Sequence, residues 1–242
     1  NQRDAGQSAN FNYPNLGPKW SFSWLSYVVE ATPDSTTSSA QYFPPGGGYE
    51  TYNNPDFQGL YPIQATSRSK LQRIVNTSGH TAQYELTFVD GSKAIFSQPD
   101  GATTARKWFV TKMVDPFGNA LSFNYKIVGV LGSGGGLQLS TIQAGTTGAM
   151  ATLQYGSGDL YKITGVTIRG KSATDTRTAT LAYSGGELVQ ITDAIGMTSQ
   201  FSYDANITDF INALVTPYGR TTFSYLPYPG YTPPPGSPDV YD

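Results

Sequence analysis

The sequence contains no cysteine and only one histidine among its 242 residues. Without thiols, disulfide bridges, thiolate metal sites and cysteine nucleophiles are all excluded. The single histidine, His80, follows Gly79 in a polar stretch that predicts a solvated turn. No Gly-x-Ser-x-Gly nucleophile elbow accompanies it. We therefore expect no catalytic residue and no metal site, and the chain is predicted not to be an enzyme.

Charged residues are also scarce, at 13% of the chain against roughly 25% in an average soluble protein. The formal net charge is −2 and Lys and Arg form no run, so the basic stripe that a nucleic-acid binder needs is missing. No apolar run approaches about 18 residues, which argues against a membrane span. The glycine-rich segment 132–136 lacks the Gly-Lys-Ser/Thr of a phosphate loop, and we expect no cofactor.

Turn-forming and aromatic residues are abundant: the chain has 27 Gly, 16 Pro and 17 Tyr. No stretch of 12 residues shows apolar residues at a helical period. Alternation is common instead, as in Tyr84, Leu86 and Phe88 before the hairpin signal Asp90-Gly91. The sequence predicts an all-β protein of consecutive antiparallel hairpins that form one long, coiling sheet.

The pattern divides the chain into three stretches. The first is an irregular lead-in over 1–81, with long loops and a strand around 19–29 suggested by the alternation of Trp20, Phe22 and Trp24. Hairpin repeats follow over 82–226. A proline-rich tail or linker occupies 227–242. The chain opens with neither Met nor a signal peptide, and we expect it to be a piece of a longer protein.

An internal repeat supports this division. The segments 114–125, 192–203 and 215–225 each contain a strand, a four-residue turn with Gly last, and a second strand ending in Phe-x-Tyr. Two further units have a Tyr followed five residues later by a Leu. The residues that define the repeat are Gly118, Tyr125, Tyr155, Leu160, Tyr183, Leu188, Gly196, Tyr203, Asp204, Gly219 and Tyr225.

The order of these motifs resembles the RHS/YD-repeat family. Its local pattern matches best from Tyr183 to Asp204, and Leu16-Gly17-Pro18-Lys19-Trp20-Ser21 resembles the strand that precedes the repeats in large RHS proteins. The pattern departs from the family in that only Tyr203-Asp204 forms the Tyr-Asp pair. The resemblance implies a large extracellular or secreted bacterial β-shell, or a cell-surface protein, some members of which bind carbohydrate.

We therefore expect a structural, non-enzymatic segment of a secreted or cell-surface RHS/YD-repeat protein that builds part of a shell or scaffold. Open sheet edges would require the remainder of the parent chain, or identical subunits, as partners. The alternative is a carbohydrate-binding or adhesive surface module, with glycans as partners. Exposed loop rings are the candidates for stacking on sugar: Tyr49, Tyr52, Phe57 and Tyr61.

The acidic residues could in principle supply a glycosidase pair. They lie mostly beside turn formers, where an aspartate side chain accepts hydrogen bonds from its own turn. We predict turn caps rather than catalytic acids for Asp90, Asp100, Asp115, Asp193 and Asp204.

Overall fold

The computed structural model describes residues 11–145, 148–170, 172 and 174–224. These residues form 16 strands and no helix, which confirms the predicted all-β class. Among them, no helix has the length and apolarity needed to cross a membrane. Residues 1–10 lie outside the described residues. So do the predicted repeat residue Tyr225 and the proline-rich tail that follows it.

All the strands belong to one antiparallel sheet. They are β1 Tyr27–Glu30, β2 Ala40–Phe43, β3 Glu50–Tyr52, β4 Lys70–Val75, β5 Thr81–Thr87, β6 Lys93–Pro99, β7 Arg106–Val114, β8 Ala120–Val128, β9 Gly136–Ala144, β10 Met150–Tyr155, β11 Ile163–Arg169, β12 Thr176–Ser184, β13 Glu187–Thr192, β14 Thr198–Tyr203, β15 Ile211–Thr216 and β16 Gly219–Thr222. From β7 to β16 each strand pairs with the next one along the chain, as consecutive hairpins require.

Strand β7 is the branch point of the sheet. Along one edge it pairs with β6, which continues to β5 and β4. Its other edge is shared: residues 106–109 pair with β1, and residues 112–114 pair with β8. One arm therefore runs from β1 to β3, and another runs from β8 to β16.

The main core lies within β1–β7. Side chains from all seven strands contribute to one buried cluster that continues under β8–β11, and its largest members include Tyr42, Tyr52, Leu71, Tyr84, Leu86, Phe96 and Trp108. The opposite face of β7 is covered too, because Phe109 packs in a second cluster with Tyr13 and Leu137. Burial on both faces explains why β7 has the continuous buried run Trp108-Phe109-Val110 instead of simple alternation.

One type of five-residue turn recurs and confirms the predicted role of the acidic residues there. In the turn after β7, the Asp115 carboxylate accepts hydrogen bonds from the amides of Phe117 (2.9 Å) and Asn119 (2.8 Å). Asp193 does the same for Ile195 and Met197 at 2.9 Å each. Asp90, Asp100 and Asp204 also accept bonds from backbone amides two residues on. The predicted repeat residues Gly118 and Gly196 occupy such turns with positive φ, whereas Gly219, also with positive φ, begins β16 opposite Thr216.

The lead-in differs from its prediction. The strand expected around 19–29 begins only at Tyr27, because Lys19 has a φ of 58° and the amide of Leu25 donates to the carbonyl of Phe22 in a turn. The apparent alternation of rings over 20–24 thus does not mark a strand. Conversely, three strands, β2–β4, lie within the stretch predicted as long loops.

The turn 56–60 lies directly against β4. The amide of Arg73 donates to the carbonyl of Gly59 at 2.8 Å, and Leu60 forms a bridge with Gln72. A Cβ at Gly59, whose φ is +77°, would overlap the carbonyl oxygen of Arg73. Gly91 has a similar φ of +87° but faces open space.

These two glycines predict different substitution costs. Gly91→Ala should lower the free energy of unfolding by about 1–2 kcal/mol, the cost of a left-handed alanine. Gly59→Ala should cost roughly 1–3 kcal/mol more, because backbone must also move. Urea denaturation of both variants followed by tryptophan fluorescence measures the difference. Equal losses would show that turn 56–60 does not need its close contact with β4.

Candidate functional site

Four tyrosines occupy the same position in four consecutive hairpins. Tyr125, Tyr155, Tyr183 and Tyr203 lie on the first strand of the hairpins β8–β9, β10–β11, β12–β13 and β14–β15. In every case the pairing register shifts at the residue just before the tyrosine. The extra residue of each bulge lies on the second strand of the hairpin, opposite the step into the tyrosine, and a bulge there bends that strand and increases the local twist of the pair. The sequence repeat thus corresponds to a repeated backbone feature.

Each tyrosine hydroxyl donates to a carbonyl of the preceding strand. Tyr155 donates to Leu139 (2.9 Å), Tyr183 to Ile163 (2.6 Å) and Tyr203 to Leu188 (2.8 Å). Tyr125 donates to Val110 at 2.9 Å. The hydroxyls therefore connect each hairpin to the strand before it, and we call this series the tyrosine relay.

Three of the four acceptors of the relay are themselves paired with tyrosines, while the first, Val110, pairs with Phe96. Leu139 lies opposite Tyr125 across the first hairpin, and its carbonyl accepts from Tyr155 of the next. Ile163 lies opposite Tyr155 and accepts from Tyr183. The relay thus passes through alternating tyrosine and aliphatic residues, the latter being Leu139, Ile163, Leu188 and Ile211.

This geometry revises one predicted repeat residue. Leu188 is fully buried opposite Tyr183, as expected of a repeat position. Leu160, which the five-residue spacing equated with it, lies instead in a turn and is partly exposed. Its structural place is taken by Ile163, because the turn between β10 and β11 is longer than the Gly185-Gly186 turn between β12 and β13.

The relay lies where neighbouring hairpins part. Strands β9 and β10 pair only over residues 141–143 and 150–152, and Tyr155 lies three residues beyond the last pair. The same offset of three residues separates Tyr125, Tyr183 and Tyr203 from the last pair with their preceding strands. Backbone groups beyond those pairs lose their ladder partners, and a buried carbonyl without a donor is costly. The tyrosine hydroxyl supplies that donor.

Burial also affects the chemistry of the relay. It raises the pKa of the Tyr125, Tyr155 and Tyr183 hydroxyls above the ordinary value of 10.0. Burial raises the pKa of Tyr203 too, although the indole of Trp20 partly offsets it. The hydroxyls are thus held as neutral donors, which is the form that hydrogen bonding to a carbonyl requires.

The gaps between hairpins are filled by residues 11–20, which we call the strap. The carbonyl of Asn12 accepts from the amide of Leu137 at 2.8 Å. Asn15 lies beside Lys162 as a parallel bridge, and its carbonyl accepts from the amide of Ile163 at 3.0 Å. Since Ile163 also accepts from Tyr183, strap and relay satisfy the two backbone groups of one residue.

The strap ends on the last hairpin of the relay. The indole of Trp20 donates to the hydroxyl of Tyr203 at 3.0 Å and its ring meets Phe201 edge-on. Lys19 reaches the carbonyl of Thr208 at 2.7 Å in the following turn. Farther along the chain, the carbonyl of Ser26 accepts from the amide of Val110, which completes the fourth gap. No pattern in the sequence predicted that the lead-in runs along the repeats.

A buried polar cluster lies at one end of the main core. Glu30 is fully buried and accepts hydrogen bonds from the Thr81 hydroxyl (2.6 Å) and the Trp108 indole (3.1 Å). Asp34 lies 3.3 Å from Arg106 and 3.4 Å from Nδ1 of His80. Partial burial would raise the pKa of Asp34, but the Thr81 amide and the Arg106 guanidinium lower it overall. Both carboxylates are thus held by donors that connect β1, β5 and β7.

His80 lies in the turn 76–80, with its side chain 64% exposed. This agrees with the predicted turn histidine. Across the described ranges, no group of three or more His, Cys, Asp or Glu side chains could hold a metal ion.

The rings predicted to stack on sugar fall into two classes. Tyr52 and Tyr61 are buried, each 2% exposed, and their hydroxyls bond Glu50 and the carbonyl of Ser38. They are core residues, because Tyr52 lies on β3, paired with β2, and the loop at Tyr61 is bonded to β4 through Leu71. Tyr49 and Phe57 remain exposed, at 61% and 95%. Of the four rings predicted to stack on sugar, only Tyr49 and Phe57 are thus accessible to a ligand.

No protein-family model matches the chain, and no curated protein matches it. Among solved structures, the fold is similar to the N-terminal domain of the effector protein SpvB from Salmonella typhimurium strain LT2. The TM-score is 0.51 with 13% sequence identity, over 82% of this chain and 92% of that domain. At this identity the similarity concerns the fold alone.

The relay predicts that removing one hydroxyl destabilises the protein. Tyr155→Phe should lower the free energy of unfolding by about 1–2 kcal/mol, because the Leu139 carbonyl loses its donor. Tyr218→Phe is the matched control, since within the described residues the Tyr218 hydroxyl contacts only the Met197 sulfur, at 3.7 Å, and the residue is exposed. Urea titrations of both variants measure the effect. A loss as large in the control would contradict a specific role for the relay.

The raised tyrosine pKa values predict alkaline sensitivity. The unfolded chain loses tyrosine protons near pH 10, whereas the folded chain retains them. The stabilisation should therefore be complete below pH 10 and be lost as the pH rises above it. Unfolding free energies measured across this range, together with phenolate absorbance, test this. The fall should be shallower in Tyr155→Phe, and stability independent of pH would contradict it.

Proposed function

We propose that this chain is a structural, non-enzymatic segment of a large secreted or cell-surface RHS/YD-repeat protein, in which it builds part of a shell or scaffold. The observation that carries the proposal is the tyrosine relay. It joins successive hairpins by one repeated contact, a hydroxyl on one hairpin and a carbonyl on the previous strand.

A repeated joint suits a scaffold because it can be extended. Each hairpin contacts mainly its neighbours, so a new hairpin adds one more joint of the same kind. The strand from Ile211 already presents the aliphatic residue opposite Tyr203 that the pattern requires. An elongated sheet built in this way gains surface in proportion to its length, which is what a shell wall needs.

The polar groups support a structural role as well. The charged side chains that meet in the core bind one another or backbone and indole donors, as Glu30 and Asp34 do. The acids in the turns are committed to backbone amides. Groups held in this way stabilise the fold and are poorly placed to exchange protons with a substrate. The similar fold of a domain named as the N-terminal part of an effector protein also suits one segment of a longer chain.

The free sheet edge indicates how such a segment would be joined to partners. All four residues of β16 are exposed, and in the described part of the chain its outer edge pairs with no strand. The amide of Phe223 donates inward to Asn212. Alternation then directs the amide of Thr222 outward. The edge is open to another strand, from the parent chain or from an identical copy.

This edge provides the test. If copies assemble through β16, sedimentation velocity should show association that grows with concentration. Thr222→Pro should reduce it, because proline removes only the outward amide. Thr222→Val, which keeps that amide and a branched side chain, is the control.

Identical behaviour of the two Thr222 variants would contradict assembly through this edge. Hydrolytic turnover by the isolated chain would contradict the structural role itself. Sequencing the reading frame on both sides of the coding segment then distinguishes the two sources of the partner strand. Further units with the relay spacing would identify the parent chain.

A further inference from the structure

A cavity of about 370 Å³ lies on the N-terminal part of the sheet, away from the tyrosine relay. Its floor is the outer part of β4, residues 72–75. Its walls are the turns around Gly59 and Gly79, and Thr36 lies at its margin. Nothing in the scaffold role requires an opening here.

One wall of the cavity carries the most exposed large apolar side chain of the described residues, Phe57, at 95%. Its turn is held firmly: the Asp56 carboxylate accepts from the amides of Gln58 (2.9 Å) and Leu60 (2.8 Å). Gly59 then docks the turn on Arg73 of β4. An aromatic ring on a rigid turn is presented to solvent in a fixed position, so a ligand would not have to bear the entropy of ordering the turn.

The remaining lining is neutral. Ile74 and Val75 are aliphatic, and the amide side chains of Gln58 and Gln72 make no hydrogen bond within the described part of the chain. Each can offer both a donor and an acceptor. The cavity thus combines a flat apolar surface with neutral groups that can bond hydroxyls.

The charges nearby are either bonded or buried. The Asp56 carboxylate binds two amides. Arg73 is only 5% exposed: its guanidinium donates to the carbonyl of Ser35, and its Nε is buried without a partner among the described residues. The site therefore has no accessible cation that could bind an anionic ligand. It also has no free carboxylate that could bind a cationic ligand.

We propose that this cavity binds a neutral saccharide. The C–H face of one sugar ring would pack on Phe57, as apolar surfaces pack on aromatic rings. The two glutamine amides would bond hydroxyls at its edge. Tyr49, the other exposed ring among those predicted to stack on sugar, is packed against Phe43 with ring centroids 5.6 Å apart and does not line this cavity.

Saturation-transfer NMR and calorimetry test this proposal on the whole chain. The probes are four neutral oligosaccharides, namely chitotetraose, cellotetraose, maltotetraose and mannotetraose, with trigalacturonate as the acidic comparison. At least one neutral probe should bind and trigalacturonate should not. Phe57→Ala should weaken binding about tenfold or more, and Phe57→Tyr should restore it.

Phe117→Ala is the matched control. Phe117 is 91% exposed on a turn of the same type, but it does not line this cavity. Because both rings are exposed, neither substitution should change the thermal midpoint, which circular dichroism verifies. The proposal is overturned by any of three results: no neutral probe binds, trigalacturonate binds more tightly than the neutral probes, or both alanine variants weaken binding equally.

Discussion

The structure depends on one constraint: where two neighbouring hairpins part, the backbone groups on the parted strands still need partners. A long coiling sheet must splay somewhere, because strands that twist cannot stay paired along their whole length while the sheet curls. At every splay a bulge lies beside a tyrosine whose hydroxyl donates to a carbonyl of the preceding strand. At three of the four splays, a carbonyl of the strap or of Ser26 also accepts from a nearby backbone amide; at the last, the indole of Trp20 donates to Tyr203 instead.

The branch at β7 gives the molecule its shape. A strand has only two edges, and one edge of β7 is taken by β6. The two remaining neighbours, β1 and β8, therefore pair with different parts of the other edge. The shared edge directs β1–β3 and β8–β16 apart, and the opening between them resembles those between later hairpins. Val110 stands at the junction, with its amide bonded to Ser26 and its carbonyl to Tyr125. The branch is thus the first joint of the relay. At this joint the acceptor is Ser26, next to the paired strand β1, whereas later joints use the strap.

The sequence was informative where structure is local. Strand β5 follows from alternation before a turn signal, and β14 and the tyrosine positions follow from the repeat. It was uninformative where structure depends on distant partners. Leu160 was wrongly equated with Leu188, because a fixed spacing ignores the different lengths of the two turns. Tyr61 was predicted to be an exposed loop residue, because glycine and proline lie close to it in the sequence. The strap at Asn15 lacks any periodic signal, since most of its contacts are made by backbone. The cavity at Phe57 could not be predicted, because it is formed by two turns and a strand that meet only in the folded chain.

The strap has a consequence for how the protein is made. On a ribosome, residues 11–20 emerge before the hairpins, but the last of their partners, Tyr203 and Thr208, emerge almost two hundred residues later. The hairpins can form one after another as they leave the exit tunnel, yet the gaps between them can close only when the strap returns to them. Folding in the order of synthesis therefore cannot complete this sheet until its last hairpin is made. Its slow step should be the closure of that long loop, which brings residues 19–20 to residues 203–208.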